Sequence, residues 1–164
     1  MIPVISFIGR SGVGKTTYLE KLIAELKQRG YRVGVVKHDI HGFEIDHPGK
    51  DTWRHAQAGA DVVCISSHEK FALIQKVQRD LPLAEIVARI QDVDIILVEG
   101  YKNHSALRAE IFRRSCGREP LGRPEDLIAV IADMPLYPGL PHFDLNAAAP
   151  FADFLEQKFW GAKQ

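Results

Sequence analysis

The chain has 164 residues, 46% of them hydrophobic, with Lys plus Arg and Asp plus Glu both at 21 and hence no formal net charge. That length predicts one domain, residues 1–164, with a sizeable core, and the even charge argues against nucleic acid or a membrane surface as partner. No apolar run approaches the ~20 residues of a membrane span.

Taken in order, Met-Ile-Pro-Val-Ile-Ser has no basic region, so Val4–Ile8 is expected as a buried first strand rather than part of a signal peptide. It runs into Gly9-Arg10-Ser11-Gly12-Val13-Gly14-Lys15-Thr16-Thr17, which fits G-x-x-x-x-G-K-[ST] at every fixed position. Leu19, Leu22, Ile23 and Leu26 then recur at helical spacing, and Gly30 stands where a helix C-terminal glycine belongs. Strand, glycine loop and helix form the context that a phosphate-binding loop requires. Gly9, Gly12 and Gly14 let the backbone N–H groups, those of Ser11 and Val13 included, turn toward one anion. The helix N-terminus adds its own unpaired N–H groups. Lys15 supplies a charge to the β- and γ-phosphates, Thr16 a hydroxyl to Mg²⁺, and Thr17 an α-phosphate contact.

A second strand is expected within Tyr31–Lys37, parallel to the first through the intervening helix. Residues His38 to Gly59 are poor in aliphatic side chains and predict a loop followed by a short helix from about Asp51; so long a loop suggests function. Ala60–Ser67 and Lys70–Val77 read as an antiparallel pair. Cys64 there is expected as a core thiol, and both it and Cys116 are isolated, as suits a reducing cytoplasm. Pro82 opens a helix with Leu83, Ile86, Val87 and Ile90 on its apolar face. Ile95–Val98 is the most hydrophobic strand, ended by Glu99-Gly100, and marks the sheet centre. Leu107–Arg114 is expected as a strand, Ser115–Glu125 as a mobile polar loop, and Leu127–Ala132 as a buried strand closed by Asp133. The proline-bearing stretch Met134–Phe143 reads as irregular. Asn146 is the expected cap of a last helix that buries Phe151, Phe154, Leu155 and Phe159. The alternation predicts a three-layer α/β fold with a mostly parallel sheet plus a β-hairpin extension.

Ligands of such sheets lie at the carboxyl ends of the strands. That rule gathers the glycine loop with Lys37-His38-Asp39, Glu99-Gly100 and Asp133. Glu99 takes the place of the second acidic group of a phosphate-loop protein, where it holds Mg²⁺ or positions the attacking water, making Glu99 and Lys15 the candidate catalytic pair. The alternative is a carboxylate that merely ends a strand, with Asp39 and Asp46 next in line for the role. The guanine-reading N-K-x-D is absent. Asp133 either accepts hydrogen bonds from a guanine edge or caps the turn before Pro135. Asp46-His47-Pro48-Gly49 spells a short D-x-x-G pattern, and His38, His41, His47 and His55 crowd one segment without the spacing of a known metal frame.

Val36-Lys37-His38 followed by Phe43, Asp46-His47-Pro48-Gly49-Lys50-Asp51, Arg54 and Ala58-Gly59-Ala60 resembles the signature of the molybdopterin-guanine dinucleotide biosynthesis protein B (MobB) family. Val98-Glu99-Gly100-Tyr101-Lys102 is similar to that family's second block. With the glycine loop, the resemblance covers roughly residues 3 to 133, Thr52 standing where Ser is expected. It implies a GTP-binding accessory protein of molybdenum cofactor synthesis, usually dimeric, with weak GTPase activity. It also implies partnership with the MobA-like guanylyltransferase that joins GMP to molybdopterin. Two other readings stay open: a nickel-delivery GTPase using the histidines, and a nucleotide-sensing adaptor without turnover.

Overall fold

A computed structural model of the chain describes residues 2–39, 42–101, 107–117 and 119–161. His41 and Lys102, singled out above, lie outside them. The chain forms two compact units, Met1–His38 with Leu83–Gln164, and Asp39–Pro82.

The larger unit is built on strands β1 (Val4–Ile8), β2 (Val33–Lys37), β5 (Ile95–Glu99), β6 (Leu107–Phe112), β7 (Leu127–Ala132) and β8 (His142–Phe143). Strands β3 and β4 belong to the smaller unit. The six pair in the order β2-β5-β1-β6-β7-β8, and every pairing is parallel. β1 and β2 are parallel as expected, but β5 lies between them, and Ile95, Ile96, Leu97 and Val98 are fully buried there. Covered on both faces, such strands read as unbroken apolar runs.

One face is covered by α1 (Lys15–Gln28) and α4 (Ala149–Phe159). Tyr18, Leu19, Leu22 and Leu26 from α1 and Phe151, Ala152 and Leu155 from α4 join Ile5, Phe7, Leu97 and Ile131 in one core cluster. α1 stops because Gly30 takes φ +89 and closes a double turn: the Gly30 N–H donates to the Lys27 carbonyl and the Tyr31 N–H to that of Leu26. α4 is also tied to α1 by charge. The Arg29 guanidinium donates to Asp153 at 2.6 Å, Glu156 at 2.8 Å and Glu25 at 2.8 Å. Desolvation opposes the charge on Arg29, and these hydrogen bonds outweigh it and raise its pKa. The Tyr31 hydroxyl adds a bond to Glu156, and its ring stacks on Trp160.

The other face is covered over β2 and β5 by the short helix α3 (Leu83–Val87), with Leu83 buried and Ile86, Val87 and Ile90 partly so. Over β7 it is covered by Met134, Leu136, Tyr137 and Leu140 from the proline-bearing stretch. Three sequence expectations are corrected in this unit. Asn146 does not cap α4: its N–H donates to Asp144 in a local turn, and α4 starts at Ala149 with Pro150 in its first turn. The stretch 134–143 contributes β8, a two-residue parallel strand at the sheet edge. The polar stretch from Ser115 to Glu125 is tied down, since buried Glu110 accepts the N–H groups of Leu121 and Gly122 and the Tyr137 hydroxyl donates to the Gly122 carbonyl.

The smaller unit holds α2 (Asp51–Gln57) and an antiparallel hairpin, β3 (Val62–Ser66) with β4 (Phe71–Gln75). Asp46 accepts from the His47 N–H at 2.8 Å and the Thr52 hydroxyl at 3.0 Å, fixing the turn that leads to α2. The D-x-x-G pattern thus organises a turn, and a hydroxyl at position 52 is what that turn uses. Cys64 is exposed, against expectation. The hairpin is a sheet of two strands only, so Val63 is buried while Cys64, one step along, faces out.

Candidate functional site

Because all six strands run the same way, their carboxyl ends share one edge, and the glycine loop leaves β1 there. Gly9 is imposed by a close approach: a Cβ at this position would lie 2.4 Å from the Ile111 carbonyl oxygen on β6. Gly14 is the N-cap of α1 at φ +95, a region costly for any other residue. No side chain caps this helix and its first turn holds no acid. Its leading N–H groups therefore face the cradle of the loop, a ready anion site. The Lys15 ammonium lies at the same loop and donates to the carbonyls of Gly9 at 3.1 Å and Arg10 at 2.9 Å.

The fold then brings together two residues 83 positions apart. The Thr16 hydroxyl lies 3.0 and 3.1 Å from the two carboxylate oxygens of Glu99. β5 pairs directly with β1, Glu99 standing opposite Phe7, so the strand end delivers the carboxylate to the start of α1. Hydroxyl and carboxylate oxygens converging in this way are the hard donors that Mg²⁺ takes, and the pair fits such an ion. Beside them Gly100 at φ +102 and Tyr101 at φ +47 turn the chain, and the His38 ring packs on that of Tyr101 at 4.2 Å. A side chain at Gly100 would press on the His38 Cβ at 3.0 Å, which explains the glycine after Glu99.

On the opposite side of β1, Asp133 is exposed at the end of β7 and its Oδ1 accepts the Arg114 N–H at 2.9 Å. Of the other strand-end candidates, Lys37 pairs with Glu99 across β2 and β5 and His38 donates its N–H to the Glu99 carbonyl, while Asp39 begins the smaller unit. Among the described residues, which leave out His41, no three His, Cys, Asp or Glu side chains are grouped to hold a metal. No helix among them is long and apolar enough to cross a membrane.

Sequence reasoning passed over the contacts that tie the loop to the chain beyond β6. Arg113 donates from Nε to the Val13 carbonyl at 3.4 Å, Cys116 Sγ lies 3.5 Å from the Gly12 carbonyl, and Arg10 reaches the Glu119 carbonyl at 3.4 Å. The signal available was Arg113-Arg114 directly after the apolar run Ile111-Phe112, at a strand end on the ligand-bearing edge.

A parallel sheet, a glycine loop opening an uncapped helix and a strand-end carboxylate on its threonine define an α/β protein of the phosphate-loop nucleotide-binding class. The chain belongs to the family of molybdopterin guanine dinucleotide synthesis protein B, MobB, whose model matches residues 4–133. It is 37% identical to the molybdopterin-guanine dinucleotide biosynthesis adapter protein of Escherichia coli (strain K12), across 100% of this chain and 96% of that one. It is 34% identical to the protein of the same name from Haemophilus influenzae, across 99% and 94% of the two chains. Among solved structures, Bacillus subtilis MobB superposes with a TM-score of 0.74 at 26% identity, covering 98% of this chain and 99% of that chain.

Proposed function

We propose that the chain is a GTP-binding adapter of molybdenum cofactor synthesis. In this reading it is one nucleotide-binding domain, cytoplasmic and homodimeric, with slow GTPase activity. It assists the MobA-like guanylyltransferase that joins GMP to molybdopterin. The observation that carries the nucleotide reading is the convergence of Thr16 and Glu99 at the mouth of the uncapped glycine loop. The pathway and partner follow from family membership and from the adapter name of the relatives.

In this site the backbone N–H groups from Gly9 to Thr17, those of Ser11, Gly12, Val13 and Gly14 among them, hold the phosphates. Lys15 exchanges its two loop carbonyls for phosphate oxygens, which bear more charge than a carbonyl. Thr16 and Glu99 are the residues that hold Mg²⁺, which when bound neutralises charge on the β- and γ-phosphates. Glu99 also orients the water that attacks the γ-phosphate. Asp133, its carboxylate fixed by the Arg114 N–H, accepts from the guanine edge. A second reading, an adapter that binds nucleotide without turning it over, is favoured by that same adapter name.

The test is a titration of GTP with Mg²⁺ into the wild type and Lys15→Ala, with melting curves taken without ligand. Loss of charge-assisted bonds to phosphate should weaken binding by about ten- to a hundredfold. Melting without ligand should change little, because the Lys15 ammonium donates to carbonyls of the loop itself, at Gly9 and Arg10. Equal affinities would remove the phosphate site from the loop.

A further inference from the structure

We infer that Arg113 is the residue that covers the nucleobase of the bound nucleotide, a specificity-side contact in the site proposed above, on which this inference rests. β1 carries the glycine loop, and its two neighbours differ in what their ends present. On the β5 side stands Glu99, paired with the Thr16 hydroxyl. That side is the pole of the terminal phosphates, because the hydroxyl and carboxylate that suit a hard cation lie there. A nucleotide stretched along the loop must therefore direct its nucleoside to the other side, over the carboxyl ends of β6 and β7.

The first side chain beyond β6 is Arg113. Its Nε donates to the Val13 carbonyl, and its Nη2 lies 3.5 Å from where a Cβ of Gly14 would stand. The guanidinium is thus set along the Val13-Gly14 edge of the loop, on the nucleoside side, with its direction fixed by the carbonyl brace. The next residue, Arg114, uses its backbone N–H to hold Asp133 at the end of β7. One strand end therefore presents a planar cation and steadies a carboxylate beside it. A guanidinium is planar and weakly hydrated and stacks readily on aromatic faces. A purine offers that face, together with an edge for a carboxylate. Bracing by Val13 also ties the base contact to the loop that holds the phosphates, so the two halves of the ligand are read by one rigid segment.

The experiment separates the two halves. GTP and inorganic tripolyphosphate, each with Mg²⁺, are titrated calorimetrically into the full-length wild type, Arg113→Ala and Arg113→Lys. Stacking by a partly exposed guanidinium predicts that Arg113→Ala loses about tenfold in GTP affinity while tripolyphosphate changes by less than about twofold. Arg113→Lys, which keeps the charge but not the plane, should recover only part of the loss; it also serves should the alanine variant fold poorly. Equal losses for both probes would make Arg113 a phosphate contact or a loop brace and overturn the inference. Full recovery in the lysine variant would assign the effect to charge alone and overturn it too. A wild type that binds tripolyphosphate but not GTP sinks the base cover and leaves the phosphate loop standing. A wild type that binds neither removes the nucleotide site itself, and the base cover with it.

Discussion

Two carboxylates show how position decides what a charged residue does. Glu99 ends the most hydrophobic strand and meets Thr16 across 83 residues of sequence. Glu99→Gln keeps the size and one acceptor oxygen but removes the charge, so GTP should still bind through Lys15 and the loop. Single-turnover hydrolysis should fall by about a hundredfold or more, since metal and water positioning supply most of this catalysis. Wild-type turnover with wild-type Mg²⁺ dependence would leave Glu99 a strand end and nothing else. Asp94, by contrast, is purely structural. Its oxygens accept from the Arg32 side chain at 2.9 and 3.2 Å and from the Arg32 N–H at 2.7 Å, and these bonds lower its pKa from 3.8 to about 2. A depressed carboxylate contributes stability above its unfolded pKa and loses it as pH falls through the folded value. The melting difference between the wild type and Asp94→Asn should thus be constant from pH 7 to 5 and close between pH 4 and 2. A gap that persists at pH 2 would rule out ionisation as the cause.

At the scale of elements, α4 holds by its aromatic side chains. Phe151 is fully buried and meets Phe7, Tyr18 and Phe143 edge to face at ring distances of 5.9, 6.3 and 5.1 Å. Phe151→Ala should cost about 3–5 kcal/mol by chemical denaturation, because the cavity is ringed by strands and helix that cannot close over it. A loss below about 1 kcal/mol would mean that α4 docks through the Arg29 ion pairs instead. α4 was legible in Phe151, Phe154, Leu155 and Phe159, which keep helical spacing, but its start was not. Asn146 has the right chemistry for a cap, yet its backbone is already engaged by Asp144 and Pro150 fits the first turn better. Cys64 failed for a related reason. An apolar run of four residues does not say whether a strand has one covered face or two, and the hairpin has only two strands.

For the whole molecule, the smaller unit is where association should arise. Its hairpin leaves Ile65 57%, Phe71 68% and Leu73 49% exposed, and among the described residues each strand has one partner. Apolar surface and open strand edges together favour pairing with another chain. If the homodimer forms here, Phe71→Lys should shift sedimentation from dimer to monomer at micromolar concentration. The GTP affinity of the larger unit, to which Phe71 does not belong, should persist. A variant that remains dimeric would move the interface elsewhere.

The phosphate loop, its strand and its helix were readable from Val4 to Gly30 because each depends on local rules: apolar period, glycine conformation and helix ending. The alternation of strands and helices gave the layers for the same reason. Strand order was not readable, since β1, β5 and β7 are all short apolar runs that pair equally well in the abstract. Only the folded sheet set β5 on one side of the loop and β6 on the other. That choice put Glu99 on Thr16 and Arg113 on Val13. It also drew the polar stretch after β6 down onto buried Glu110, a contact that no local pattern encodes. Sequence fixes what a segment can become, whereas pairing between distant segments is decided by which arrangement buries the most apolar surface at once.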